Sequence, residues 1–74
     1  MALTNAHKIV GEKLLVLRKA ANKSLKAVAL EAGITPKTLS KIEDGRANFR
    51  ILTLGKLCKA YNVGLEQLLD GFNF

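Results

Sequence analysis

The chain has 74 residues, of which 12 are Lys or Arg and 6 are Asp or Glu, so its formal net charge near pH 7 is +6. Its length suits one small domain, and 49% hydrophobic residues exclude the polar composition of a disordered protein. A single Cys and a single His exclude both an intrachain disulfide and a tetrahedral metal site within a monomer.

The positive charge favours a polyanionic partner, although solubility alone also explains some small basic domains. The longest apolar run covers residues 14–17, far short of the roughly 20 residues of a membrane span. The first residues carry no signal-peptide pattern, and a lone cysteine suits a reducing compartment. We therefore expect a single domain over residues 1–74 in a cytoplasmic protein that does not contact a membrane.

After a frayed end at residues 1–5, the first predicted helix is capped by Thr4 or Asn5 and runs to about Ala21. Apolar residues recur every three or four positions along it, from Val10 to Ala21. Gly11 interrupts this pattern and lowers the helix propensity by about 1 kcal/mol relative to Ala. We expect a neighbouring helix to approach closely at Gly11.

Two short helices joined by a tight turn are predicted between Ser24 and Gly45. The first follows Ser24 as N-cap, carries apolar residues at helical spacing and ends at Gly33. Thr35 is the expected N-cap of the second, and Pro36 its first residue. This arrangement matches the helix-turn-helix, whose second helix can enter a DNA major groove. Because a fold does not fix a function, the pattern alone leaves structural roles open.

The second helix of this pair has two distinct faces. Leu39 and Ile42 form its inward side, while Lys37, Ser40 and Lys41 fall on the outward side. An outward face with two lysines and a hydroxyl suits contact with a polyanion.

The remainder of the chain predicts a loop, two more helices and a tail. The loop covers residues 46–50, with Phe49 tucked beneath it. A fourth helix runs from Ile51 to Tyr61 with an apolar face that includes Ile51. A fifth helix from Leu65 to Leu69 is followed by a tail at residues 70–74.

Single reactive residues give no sign of catalysis. Cys58 lies on the apolar face of the fourth helix and is predicted to be a core thiol, and His7 is expected to be a solvated surface residue. The acidic residues are scattered, whereas catalysis needs titratable groups that converge, so an enzyme is not expected. Arg18 and Glu43 are expected to form a structural ion pair, worth about 0 to 1 kcal/mol at the surface.

The end of the chain carries more apolar residues than one short helix needs for its own packing. We expect these residues to form a homodimer interface, made of Leu65, Leu68, Leu69, Phe72 and Phe74.

From Leu17 to Leu69 the chain resembles the phage-repressor-like helix-turn-helix family, of the Xre or Cro type. The resemblance is carried by Leu17-Arg18-Lys19, Ser24, Ala29, Ala32-Gly33-Ile34, Ser40-Lys41-Ile42-Glu43, Gly45, Asn48, Thr53-Leu54, Val63 and Leu68-Leu69. It implies an all-α, five-helix, lambda-repressor-like DNA-binding domain with the helix-turn-helix at helices two and three. It also implies a dimeric repressor that binds double-stranded DNA at a pseudo-palindromic operator, with no cofactor and no small-molecule ligand. By size, controller proteins of restriction-modification systems and small Cro-like repressors are the nearest subtypes.

The resemblance also implies roles for individual residues. The residues that read base edges would be Thr35, Pro36, Lys37, Ser40 and Lys41. Those that contact phosphates would be Ser24, Leu25, Lys26, Thr38, Arg46 and Asn48. Leu25 departs from the family, which usually has Gln there to bind a phosphate. The alternative is an antitoxin-like protein-interaction module that binds a partner protein.

Overall fold

The computed structural model describes residues 5–68. This part of the chain is all-helical, without a strand among the described residues, as the sequence predicts. Its five helices are α1 Asn5–Ala20, α2 Leu25–Ala32, α3 Pro36–Glu43, α4 Ile51–Ala60 and α5 Leu65–Leu68.

One hydrophobic core lies between the helices and receives side chains from all five. Its buried members are Val10, Leu14, Val28, Ala29, Ala32, Leu39, Ile42, Leu54, Leu57, Cys58, Tyr61 and Leu68. The prediction of Cys58 as a core thiol is confirmed, and burial raises the pKa of that thiol. Two apolar residues assigned to inward faces are instead exposed: Ala21 lies just beyond α1, and Ile51, at the edge of the α4 stripe in its first turn, is 62% exposed.

The helix α1 crosses directly against the end of α3 at Gly11. A Cβ atom at Gly11 would lie 2.7 Å from the carbonyl oxygen of Glu43 and would also overlap the carbonyl oxygen of Ile42. The expected close approach at Gly11 is therefore confirmed, and it involves backbone atoms that cannot rotate away. Only glycine allows α1 and α3 to pack at this separation.

Two further contacts fix the segments around this crossing. The ring of His7 lies 5.2 Å from the ring of Phe49, centroid to centroid, and Phe49 packs against the core as predicted. The prediction of His7 as a solvated residue is therefore wrong, because the loop between α3 and α4 brings the ring of Phe49 back onto α1. The Lys23 ammonium group donates to the carbonyl oxygen of Ala60 at 2.9 Å, which holds the α1–α2 link against the end of α4.

The crossing predicts opposite effects for two glycine-to-alanine substitutions. Gly11→Ala should lower the free energy of unfolding by about 1 to 3 kcal/mol, because the added methyl group overpacks against fixed backbone carbonyls. Gly55→Ala is the matched control, since a Cβ atom there meets nothing within 4 Å. It should raise the free energy of unfolding by about 0.5 to 1 kcal/mol through helix propensity. Urea denaturation at one protein concentration measures both, and equal effects would contradict the packing argument.

Candidate nucleic-acid interface

The turn between α2 and α3 is built from local hydrogen bonds. The Ser24 hydroxyl accepts a hydrogen bond from the Ala27 N–H at 3.0 Å and caps α2. Gly33 ends α2 with φ +70°, in the left-handed conformation, and the Ile34 N–H then donates to the Ala29 carbonyl at 3.0 Å. This is the Schellman pattern of a helix end, so the predicted cap and turn are present.

The helix α3 begins at an equally well-defined cap. The Thr35 hydroxyl accepts a hydrogen bond from the Thr38 N–H at 3.1 Å, and Pro36 occupies the first turn. The same Thr35 hydroxyl donates to Thr38 Oγ1 at 2.9 Å. Both threonines are exposed, so this pair lies at the surface where α3 starts.

The outward face of α3 carries the residues predicted to read bases. Leu39 and Ile42 are fully buried, and with Glu43 they hold one side of the helix against the core. Lys37 and Lys41 point the opposite way and are exposed, together with Thr35 and Pro36. Ser40 is half-buried and less accessible.

The residues predicted to contact phosphates differ in what they can offer. Ser24, Lys26, Thr38, Arg46 and Asn48 are all exposed. The guanidinium of Arg46, however, donates from Nη2 to Asp44 Oδ2 at 2.8 Å, so its charge is already partly balanced.

Leu25 is half-buried and packs against the core. Its apolar side chain has no group that can bind a phosphate, so the contact expected at this position stays a prediction and could come only from the backbone. Its backbone N–H, in the first turn of α2, is the group that remains suited to an anion. Sequence reasoning missed Arg50, an exposed residue at the N-cap position of α4, although its charge in the loop that follows Arg46 and Asn48 was an available signal.

The far end of α3 is held by a bidentate ion pair with α1. Arg18 Nε donates to Glu43 Oε2 at 2.8 Å, and Arg18 Nη2 donates to Glu43 Oε1 at 3.2 Å. The remaining Nη1 donates to the carbonyl oxygen of Lys23 at 3.2 Å. The side chains are only 15% and 4% exposed, so the pair exists as predicted but is buried. The hydrogen bond to Glu43 raises the pKa of Arg18.

Tyr61 completes the surroundings of this pair. Its buried hydroxyl has no hydrogen-bond partner within residues 5–68, and desolvation, followed by the nearby Glu43 carboxylate, raises the pKa of Tyr61 to about 12. The phenol is therefore neutral at physiological pH and adds no charge beside the pair.

The predicted dimer interface is partly contradicted. Leu68 is 2% exposed and belongs to the monomer core, because α5 packs against α1 and α4. Leu65 is half-buried against the same core, while Leu69, Phe72 and Phe74 lie outside the described residues. Large hydrophobic side chains are exposed at other positions, which the sequence did not predict as interface candidates. These are Ile9, Val16, Leu30, Ile51 and Leu52.

The described residues contain no group of three or more His, Cys, Asp or Glu side chains that could hold a metal ion. Nor does any helix within residues 5–68 have the length and apolar character to cross a membrane. The chemistry on this surface is that of ammonium, guanidinium, amide and hydroxyl donors around α3, which suits the oxygen-rich surface of a nucleic acid.

Comparison with known proteins agrees with this geometry. The profile of the helix-turn-helix family matches residues 14–68, which include all of α2 to α5. The chain belongs to the helix-turn-helix family. The resemblance to Xre- and Cro-type proteins is thereby confirmed, and the chain is classed as a DNA-binding transcriptional regulator. The members of this family are DNA-binding regulators, which are generally not enzymes.

Solved structures share the fold. A crystal structure of the clp gene regulator ClgR from Corynebacterium glutamicum matches with a TM-score of 0.86 and 22% identity, over 92% of this chain and 72% of that one. A second ClgR structure gives 0.82 and 23%, over 86% and 83%. The restriction-modification controller protein C.AhdI from Aeromonas hydrophila gives 0.83 and 23%, over 88% and 98%. No curated protein sequence matches the chain.

Because the Arg18–Glu43 pair is buried, we expect replacement of one partner to destabilise the fold more than replacement of both. Arg18→Met leaves the Glu43 carboxylate buried without its cation and should lower the free energy of unfolding by about 3 kcal/mol or more. The double variant Arg18→Met/Glu43→Met leaves no buried charge and should lose less than the single variant. Urea denaturation of both variants measures the difference. A cost below about 0.5 kcal/mol for the single variant, typical of a surface change, would contradict the burial of the pair.

Proposed function

We propose that the chain is a homodimeric repressor that binds a pseudo-palindromic operator sequence-specifically, with α3 in the major groove. The observation that supports this most directly is the outward face of α3, where Lys37 and Lys41 project away from the buried Leu39 and Ile42. A helix held by its inner face and charged on its outer face suits insertion into a groove.

The proposed base contacts come from side chains one turn apart. Lys37 and Lys41 can each donate to guanine O6 and N7, which are major-groove acceptors. The half-buried Ser40 between them would be a weakly selective partner, and Pro36 can offer only apolar contact. Specificity would therefore depend chiefly on the two lysines.

The proposed phosphate contacts flank this face. Lys26 in the first turn of α2 would hold one side of the duplex backbone, while Arg46, Asn48 and Arg50 would hold the other side from the loop before α4. Because Arg46 is paired with Asp44, it would have to exchange a carboxylate for a phosphate. Its gain on binding would therefore be smaller than that of an unpaired cation.

We propose that exposed apolar residues contribute to the dimer. Ile51 and Leu52 are consecutive, largely exposed residues in the first turn of α4, next to the loop that contains the proposed phosphate contacts. An interface there would fix the distance between two reading helices. A regulator of this kind acts where its operator is, so we place it in the cytoplasm.

A second candidate function is an antitoxin-like module that binds a partner protein. It is favoured by Leu30, which is 82% exposed on α2, beside the helix that would read DNA. A protein partner would cover this residue, whereas DNA binding requires no apolar contact there.

Selection of bound sequences from random duplexes, followed by a gel shift of the winning sequence, tests the proposal. We expect a motif with two half-sites about 10 to 10.5 bp apart, centre to centre, as for a two-fold dimer. Binding should persist in excess competitor DNA. Recovery of no motif, or binding that is equally strong to every duplex and is lost as salt rises, would reject a sequence-specific regulator.

Lys41→Ala should relax the motif at one base pair and weaken operator binding by about 1 to 3 kcal/mol. Lys59→Ala removes the same charge from exposed α4 surface beside Lys23 and Glu31 and is the matched control. It should leave the preferred motif unchanged. Gel-shift titration against the selected operator and its single-base variants measures both, and the same loss on every sequence for Lys41→Ala would show that Lys41 reads no base.

A further inference from the structure

A groove with a volume of about 500 Å³ lies on the protein surface between α1 and α5. Its apolar lining comes from both helices and from the turn before α5, namely from Ile9, Val16, Leu17, Val63 and Leu68. Glu12, Lys13 and Gln67 complete the lining. Because the two charged side chains among these have opposite signs, they do not select a strongly charged partner. The groove therefore favours an apolar occupant.

Two large side chains of α1 are exposed in this groove. Ile9 is 42% exposed and Val16 is 65% exposed. They lie seven residues apart, on one side of α1 and about 10 Å from each other along its axis. The side of α1 that meets α3 at Gly11 lies about 140 to 160° around the helix from them. The groove therefore faces away from α3, and packing within residues 5–68 leaves both side chains partly uncovered.

The described part of the chain ends in this groove. Leu68 lines the groove, and the sequence continues from it as Leu69-Asp70-Gly71-Phe72-Asn73-Phe74. Six residues span up to about 20 Å when extended, which is twice the separation of Ile9 and Val16 along α1. The segment is therefore long enough to bring Phe72 and Phe74 to either residue.

The composition of this segment matches the groove. It has three large apolar residues and a single charge, at Asp70. Residues two apart in an extended chain place their side chains on the same side, so Phe72 and Phe74 can enter the groove together. A buried Phe removes about 150 to 250 Å² from water, which is enough surface to cover one aliphatic side chain each.

Tethering decides between this segment and the same segment of a second copy. A segment joined to its site by a short linker has an effective concentration on the order of mM. A second copy competes only at the total protein concentration. At micromolar protein the tethered segment therefore has an advantage of about a thousandfold.

We propose that the groove between α1 and α5 is the docking site for the chain's own segment 69–74, which covers Ile9 and Val16 with Phe72 and Phe74. Docking withdraws both aromatic rings from the dimer interface expected from the sequence. It joins the segment to α1 on the side away from α3, so the inference does not depend on DNA binding.

A single fluorophore tests the docking in the full chain. The protein contains no Trp, so Phe72→Trp reports on this position alone. Its indole should emit at a shorter wavelength, and be quenched less by acrylamide, in the folded protein than in urea. Val16→Asp places a charge in the apolar groove and should shift the emission back towards the value in urea. Because Val16 is 65% exposed, the fold should be kept, which circular dichroism checks.

Leu30→Asp is the matched control. It introduces the same charge at a side chain that is 82% exposed on α2 and is not part of the groove. It should leave the emission of the Phe72→Trp protein unchanged. Two results would overturn the inference: an indole that emits in the folded protein as it does in urea, or one that responds to Val16→Asp no more than to Leu30→Asp.

A disulfide identifies the copy that supplies the segment. Val16→Cys is combined with Phe72→Cys or with Phe74→Cys, and one pair should form a disulfide whose product runs as a single chain on a non-reducing gel. The single variants control for pairing with the buried Cys58. A product of two chains would assign the groove to a second copy and overturn the inference.

Dilution of the Phe72→Trp protein gives an independent check. Its emission should stay the same over about a hundredfold dilution, because a contact within one chain does not follow mass action. A shift towards longer wavelength on dilution would show that a second copy supplies the segment. None of these measurements uses DNA, so their failure leaves the proposed function intact.

Discussion

The buried ion pair between Arg18 and Glu43 is the interaction on which the placement of α3 depends. It joins the end of α3 to α1 with two hydrogen bonds, and a third from Arg18 reaches the α1–α2 link. Since a buried pair contributes little net stability compared with apolar packing, its main effect is geometric. With Gly11, which lets the two backbones meet, it leaves α3 one orientation, with its lysines outward.

Because of this constraint, the two ends of α3 have different structural roles. The buried end is held to α1 by the ion pair, whereas the end that begins at Thr35 is exposed and closed by a cap made of side-chain hydroxyls. Precise placement of a binding residue requires such support from residues that do not touch the ligand. A substitution near Arg18 would therefore alter DNA binding without lying in the interface.

Local signals in the sequence were sufficient for much of the fold. Ser24, Gly33, Thr35 and Pro36 define helix ends through their own backbone preferences and side-chain bonds, so the turn could be located without knowledge of the rest. Gly11 also indicated a close approach, because glycine in a helix interior is otherwise unfavourable. The outward side of α3 followed from the apolar period alone.

What could not be predicted depends on how helices meet. The spacing of Ile51 fits the apolar stripe of α4, yet the core reaches only as far as Leu54 and leaves Ile51 exposed. Leu68 has the spacing of an interface residue but lies where α5 contacts two other helices. The ion pair was foreseen, whereas its burial depends on the separation of α1 and α3. No local pattern reports these distances, because they result from packing between segments far apart in sequence.

The buried thiol of Cys58 can report how often the helices of this small domain separate. It is the single cysteine of the chain and lies in the core between helices. A thiol reagent can react only when the surrounding helices separate, so the labelling rate counts opening events. Bound operator would stabilise the closed fold, so the affinity for DNA could be measured as a slower rate of Cys58 labelling, without a cysteine introduced by mutation.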